Sequence, residues 1–214
     1  NTIPSINKAM ELGVDGIEID VFKCKSGELV VFHDERLERL TNSSGFIESL
    51  ELDSIKNIIV LDKYRIPTLE EVLQLIDGQV KLNIELKGYG TASPTNHLIN
   101  QYTNKGGWTE DKFIISSFKW DELEKIRELN MTIPIAVLVN SNVNPIDALP
   151  FAKKIKAIAI NPYFKDLNQK NIEKIQSTGL KVFPYTINEL DDIERMIKLG
   201  VDAIITDYPE RVNK

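Results

Sequence analysis

Several features that mark other classes of protein are absent from this sequence or rare in it. A single cysteine, Cys24, excludes a disulfide within the chain. No apolar run reaches membrane-spanning length and no signal peptide is recognisable, so we expect no stable membrane insertion. The net charge is −6 and no basic cluster occurs, which disfavours nonspecific binding to nucleic acid or to anionic lipid.

The composition that remains is that of an ordinary globular protein. Of the 214 residues, 42% are hydrophobic and 27% are charged, which supplies enough apolar material for a large core. This length suits one domain or one α/β barrel. We therefore expect residues 1–214 to form a single domain.

Strand and helix patterns alternate along the chain. The residue periodicity predicts helices at residues 2–12, 68–76, 97–104, 121–129, 146–154, 168–177 and 190–199. It predicts strands at residues 17–21, 29–32, 81–87, 112–118, 133–139, 157–161, 181–187 and 203–207. Such alternation is typical of right-handed βαβ crossovers and a parallel sheet.

This pattern favours an α/β fold of the TIM (β/α)8 barrel class with its first strand missing from the given residues. Apart from the strand at 29–32, which follows a tight turn, seven strands are expected, and a helix precedes them. A doubly wound open sheet is the alternative, but no glycine-rich phosphate loop follows any strand. The irregular stretch at about 35–64 is too long for a plain connection and is predicted to be a small insertion.

Acidic residues occupy one face of two of these strands. Glu18 and Asp20 alternate with apolar residues, so they share a face and lie roughly 7 Å apart along the strand. Glu85 and Lys87 share a face of the strand at 81–87 in the same way. Because the outer face of a barrel strand packs on helices, we expect these polar faces to meet at the barrel mouth. They would form either a divalent-cation site with an anion-binding lysine or a structural ion-pair network.

His33 ends a predicted strand near the same edge and is one of only two histidines in the sequence. An ordinary pKa of about 6.5 suits an imidazole to general acid–base catalysis. The next residue, Asp34, is expected to cap a turn rather than to orient His33, because neighbours on a strand point to opposite faces. His97 lies in a polar helix and is expected to face solvent.

These residues belong to an ordered set of short motifs that resembles the glycerophosphodiester phosphodiesterases along the whole chain. No single motif is strong, but their order is specific. The motifs are Gly16-Ile-Glu-Ile-Asp-Val21, Val31-Phe-His33-Asp34, Arg39-Leu-Thr-Asn42, Ile66-Pro-Thr-Leu-Glu-Glu71, Leu82-Asn-Ile-Glu-Leu-Lys87, Ser117-Phe118, Tyr185-Thr-Ile-Asn188 and Ile205-Thr-Asp207-Tyr-Pro209.

The resemblance implies a TIM barrel with a small insertion and metal-dependent hydrolysis of glycerophosphodiesters to glycerol 3-phosphate and an alcohol. It implies that Glu18, Asp20 and Glu85 bind Ca²⁺ or Mg²⁺. His33 would be one of two catalytic histidines, and Lys87 would bind phosphate. Phe118 and Tyr185 would line the glycerol pocket, although the family more often has tryptophan at the position of Tyr185.

One departure from the family pattern concerns the start of the chain. In the family, Asn1-Thr2 would end a Pro-Glu-Asn-Thr stretch, and a His-Arg-Gly motif would lie upstream on the first strand. We expect these residues to precede the ones given, and we expect a cytoplasmic protein, with a secreted form as the alternative. The rival functions are a phosphodiesterase acting on lysophospholipids and a catalytically inert phosphoester-binding barrel. A metal-dependent aldolase or isomerase is a more distant rival. The sequence does not indicate an oligomeric state.

Overall fold

A largely parallel sheet lies at the centre of the protein. The structure is a computed structural model that describes residues 1–212. Among these residues seven strands form the sheet: β1 (Gly16–Lys23), β2 (Leu29–Val31), β5 (Lys81–Leu86), β6 (Phe113–Ser117), β7 (Ile135–Val139), β8 (Ala159–Pro162) and β9 (Lys181–Val182). Their order across the sheet is β2-β1-β5-β6-β7-β8-β9. Only β2 runs antiparallel to its neighbour, β1; the other neighbours are parallel. The strands β3 (Ile59–Val60) and β4 (Tyr64–Arg65) form a separate antiparallel pair.

Helices alternate with the parallel strands, as the sequence predicts. They are α1 (Ile3–Glu11), α2 (Leu52–Ile55), α3 (Leu69–Ile76), α4 (Ala92–Lys105), α5 (Trp120–Leu129), α6 (Leu149–Lys154), α7 (Gln169–Gln176) and α8 (Leu190–Leu199). None of the helices in residues 1–212 combines the length and the apolar character needed to cross a membrane.

The two faces of the sheet differ in chemistry. Alternate strand residues such as Ile19, Ile84 and Val137 are fully buried in the main apolar cluster, together with residues of the helices. The opposite face carries polar residues, including Asp20 and Glu85. This division is the one expected for barrel strands, whose outer face packs on helices while the inner face builds the site.

The fold class is confirmed as α/β of the TIM-barrel type, with differences at the last two predicted strands. The strand predicted at 181–187 is regular only over Lys181–Val182. Residues 203–207 do not form a regular strand, although the Ile205 amide donates to the Pro184 carbonyl at 3.1 Å and the Ile187 amide donates to the Ile205 carbonyl at 2.9 Å. Pro184 has no N–H group, so the hydrogen-bond ladder is interrupted there. Closure of the sheet into a complete barrel is not seen within residues 1–212.

The stretch at 35–64 packs around a second apolar cluster. Phe22 and Cys24 of β1 and the loop after it contribute to this cluster, as does Phe32 beyond β2. The remaining members are Val30, Leu37, Ile47, Ile55, Ile58, Val60 and Ile66. The insertion therefore packs against the ends of β1 and β2, next to the acidic face.

Helix α4 begins at Ala92, five residues before the predicted start at residue 97, because Glu122 caps it from α5. The Glu122 carboxylate accepts hydrogen bonds from the backbone amides of Gly90 and Ala92, both at 2.9 Å, and Lys125 donates to it at 2.7 Å. A carboxylate at a helix N-terminus satisfies amides that have no partner within the helix. A cap supplied from another helix leaves no local signal in the sequence.

Replacing Glu122 with glutamine is expected to lower the free energy of unfolding by about 1–3 kcal/mol, because a buried charged acceptor is lost. Burial alone would raise the pKa of Glu122, but the hydrogen bonds from Lys125, Gly90 and Ala92 outweigh it and hold the pKa below its ordinary value. The contribution of Glu122 is therefore present above its ordinary pKa and is lost as the pH falls through the lowered value.

Urea denaturation of Glu122→Gln at neutral and acidic pH measures this effect. Glu128→Gln is the matched control, since Glu128 is an exposed residue of the same helix. We expect the control to remain within about 0.5 kcal/mol of the wild type. Equal stability of the Glu122 variant and the control at neutral pH would contradict the capping role.

Candidate active site

Three carboxylates meet on the polar face of β1 and β5. The parallel register pairs Asp20 with Glu85 and Glu18 with Asn83, which sets all three acids on adjoining strands. One oxygen atom from each of Glu18, Asp20 and Glu85 lies within 4.8 Å of the others. Asp20 is 3% exposed and Glu85 is 8% exposed, so water screens their charges poorly.

Burial and mutual repulsion make this cluster electrostatically costly. Burial, and then the charges of Asp20 and Glu85, raise the pKa of Glu18 well above its ordinary value. Burial, and then the charge of Asp20, raise the pKa of Glu85 to about 7. Such shifts are expected where like charges share a poorly solvated site.

Lys87 is the side chain that partly compensates the negative charge. Its Nζ atom lies 3.2 Å from Glu85 Oε1 and 3.6 Å from Asp20 Oδ1. Burial lowers the pKa of Lys87, but the charges of Glu85 and Asp20 outweigh this effect and raise it. Lys87 is therefore held as an ammonium group at the side of the acidic cluster.

Asn1 orients Asp20 through two hydrogen bonds. The Asn1 side-chain amide donates to Asp20 Oδ2 at 2.8 Å, and the Asp20 backbone amide donates to Asn1 Oδ1 at 2.9 Å. The sequence reasoning included Asn1 only as part of a motif and assigned it no role. Its contact joins residues 19 positions apart, which no local pattern reveals.

The donor set fits a hard divalent cation. Ca²⁺ and Mg²⁺ prefer carboxylate oxygen ligands, and three acids converge here beside the ammonium group of Lys87. The raised pKa values of Glu18 and Glu85 are those of a cluster whose negative charge is only partly compensated. A bound dication would supply further positive charge, so the acidic cluster is compatible with a divalent metal site.

His33 lies beside an open groove of about 520 Å³ that also includes Lys87. The other lining residues are Asp34, Glu35, Arg36, Glu38 and Arg39. The His33 side chain is 56% exposed. Because Lys87 contacts both Asp20 and Glu85 and also borders the groove, it connects the imidazole region to the acidic cluster.

Asp34 contacts His33, so the expectation that it does not orient the imidazole is wrong. Its Oδ1 atom lies 2.6 Å from His33 Nδ1. The strand argument fails because β2 ends at Val31 and the chain turns immediately afterwards. Arg39 also pairs with Asp34, a contact that the sequence reasoning missed. The sequence signal that could have indicated these contacts is the adjacent pair His33-Asp34 with Arg39 five residues after Asp34.

Phe118 and Tyr185 form an aromatic corner. Their rings meet edge to face with centroids 5.6 Å apart, and the Tyr185 hydroxyl donates to the Val139 carbonyl at 2.7 Å. Burial, and then the nearby Glu85 carboxylate, raise the pKa of Tyr185. This influence indicates that the corner lies near the acidic cluster. His97, in contrast, is exposed on α4, as predicted.

Comparison with known proteins gives a consistent result. The sequence model of the "Glycerophosphoryl diester phosphodiesterase family" matches residues 1–211. A glycerophosphodiester phosphodiesterase of Caldanaerobacter subterraneus is 36% identical over 98% of this chain and 89% of its own length. One from Bacillus subtilis is 31% identical over 100% of this chain and 80% of its own length.

Among solved structures, a phosphodiesterase of Oleispira antarctica in complex with the product sn-glycerol-3-phosphate superimposes with a TM-score of 0.89. It is 26% identical, and the match covers 100% of this chain and 89% of that one. The family match spans nearly the whole sequence and includes every residue of the acidic cluster and the groove. This chain belongs to the glycerophosphoryl diester phosphodiesterase family.

Proposed function

We propose that this protein hydrolyses glycerophosphodiesters to glycerol 3-phosphate and an alcohol, with the help of a bound Ca²⁺ or Mg²⁺ ion. The observation that carries the proposal is the convergence of Glu18, Asp20 and Glu85 within 4.8 Å, next to a groove that contains His33. Membership of the family and the product complex of the Oleispira antarctica relative support the same substrate class.

Glu18, Asp20 and Glu85 would hold the cation through carboxylate oxygens. When bound, the cation supplies positive charge that stabilises the charge developing on the phosphate oxygens. Asn1 keeps the Asp20 carboxylate oriented towards its neighbours. Lys87, already positioned between the cluster and the groove, binds a phosphate oxygen through its ammonium group.

His33 moves the proton in this scheme. It would either accept a proton from the nucleophile, which is the glycerol 2-hydroxyl or water, or donate one to the leaving alcohol. The family resemblance implies a second histidine for the complementary step. Phe118 and Tyr185 present ring surface near the cluster and line the pocket for the glycerol moiety.

A panel of substrates and metals tests the proposed function on the full-length protein. Glycerophosphocholine, glycerophosphoethanolamine and glycerophosphoglycerol are incubated with Ca²⁺, Mg²⁺ or chelator, and glycerol 3-phosphate is measured. We expect release of glycerol 3-phosphate with at least one of the two metals and its loss in chelator.

Other outcomes of the panel separate the rival functions. Full activity in chelator would contradict the metal site. Turnover of a lysophospholipid alone would show that the lysophospholipid-type activity is the correct one. Binding of a diester without turnover, under every metal condition, would favour the inert phosphoester-binding barrel.

A further inference from the structure

Three side chains after β2 form a continuous hydrogen-bonded chain. Arg39 donates to Asp34 through both Nε and Nη2, at 2.6 and 2.7 Å, in a bidentate pair. Asp34 in turn lies 2.6 Å from His33 Nδ1. The side chain of Asp34 is 18% exposed, whereas those of Arg39 and His33 are 63% and 56% exposed. The carboxylate is therefore the least exposed of the three groups.

This arrangement determines which imidazole nitrogen carries a proton. An ionised carboxylate can only accept a hydrogen bond, so the short contact requires a proton on His33 Nδ1. In the neutral imidazole, Nε2 then has a free lone pair and can act as a base. In the charged imidazole, Nε2 holds the proton that can be donated.

Arg39 keeps Asp34 in the state that this contact needs. The guanidinium of Arg39 is the main cause that lowers the pKa of Asp34 to about 2, so the carboxylate is ionised at neutral pH. A bidentate guanidinium pair also fixes the plane of the carboxylate. The segment that carries His33 and Asp34 is itself anchored, because Phe32 and Leu37 on either side of them are buried in the apolar cluster of the insertion.

We infer that Asp34 and Arg39 are positioning residues that hold His33 in its Nδ1-protonated tautomer and aim Nε2 for proton transfer. The inference rests on the proposed function for its consequence in catalysis. The contact geometry carries it, and neither residue needs to touch the substrate.

Asp34→Asn, which preserves the shape of the side chain, is the direct test. The asparagine amide can donate to His33 Nδ1 and thereby favour the Nε2-protonated tautomer. In that tautomer Nε2 has no free lone pair and cannot accept a proton. We expect kcat to fall by ~10²–10⁴-fold with a much smaller change in KM. Arg39→Gln leaves the Asp34 carboxylate in place but loosens it, and we expect a fall in kcat of ~10–100-fold.

The imidazole ¹⁵N shifts give a readout that a merely structural role would not change. His33 should report a protonated Nδ1 in the wild type and a protonated Nε2 in Asp34→Asn, with His97 as an internal reference in the same spectrum. Glu51→Gln is the matched control, because it breaks an exposed ion pair with Lys25 in the same insertion. It should change neither the tautomer nor kcat.

The outcomes separate this inference from the proposed function. A wild-type tautomer of His33 in folded Asp34→Asn, or kcat within a few-fold of the wild type in an active enzyme, would overturn the positioning role. Absence of diester hydrolysis by the wild type would overturn the proposed function instead, and the tautomer measurement would still decide what Asp34 does to His33. If Asp34→Asn does not fold, Arg39→Gln is judged by the same kcat and KM criteria.

Discussion

Replacing His33 with alanine is expected to lower kcat for a glycerophosphodiester by ~10²–10⁴-fold, the usual contribution of a positioned proton-transfer group. The substrate would still meet Lys87, the acidic cluster and the aromatic corner, so KM is expected to change far less than kcat. Steady-state kinetics with the metal that gives the highest activity measures both constants.

The matched control is His97→Ala, since His97 is the other histidine of the sequence and is exposed on α4. This variant should keep wild-type kcat. Near-full activity of His33→Ala would remove His33 from the reaction. Equal loss in the two variants would point to a general effect of removing an imidazole rather than to proton transfer at the groove.

Replacing Glu85 with glutamine is expected to stabilise the metal-free protein at pH 8 by about 1–3 kcal/mol and by less than about 1 kcal/mol at pH 5. The pKa of Glu85 is raised to about 7 in the folded protein, above its value in the unfolded chain. Folding therefore becomes less favourable as the pH rises through this range, because the folded state must give up a proton that it holds more tightly. Glutamine carries no charge at either pH and avoids this penalty.

The same variant is expected to lose most of any stabilisation by added Ca²⁺ or Mg²⁺, because one of the three proposed carboxylate ligands is gone. Urea denaturation at pH 5 and pH 8, in chelator and then with each metal, measures both effects. Glu11→Gln is the control, since Glu11 forms an exposed ion pair with Lys8 and is not part of the cluster. A Glu85 variant that is less stable than the wild type at pH 8 in chelator would contradict the argument.

The arrangement of the acidic cluster could be anticipated because it depends on strand geometry alone. Alternation along β1 puts Glu18 and Asp20 on one face, and parallel pairing with β5 brings Glu85 opposite Asp20. No further knowledge of packing is required. Their roles as metal ligands, and those of His33, Lys87, Phe118 and Tyr185 in catalysis and binding, stay predictions.

Features that depend on contacts between distant segments could not be anticipated in the same way. The start of α4 is set by Glu122 of α5, and Asp20 is oriented by Asn1. The contact between Asp34 and His33 depends on how the chain turns after β2, where strand alternation no longer applies. Local periodicity carries no information about any of these.

The exposure of His33 has a consequence for how the proposed reaction returns to its starting protonation state. His33 lies on a short segment between two buried side chains, Phe32 and Leu37, yet more than half of the surface of its own side chain is exposed to water. A proton that His33 gains or loses in the proposed reaction can therefore exchange with bulk solvent directly. The imidazole of His33 could then recover its starting protonation state without a proton relay through internal groups and without the opening of a lid over the groove.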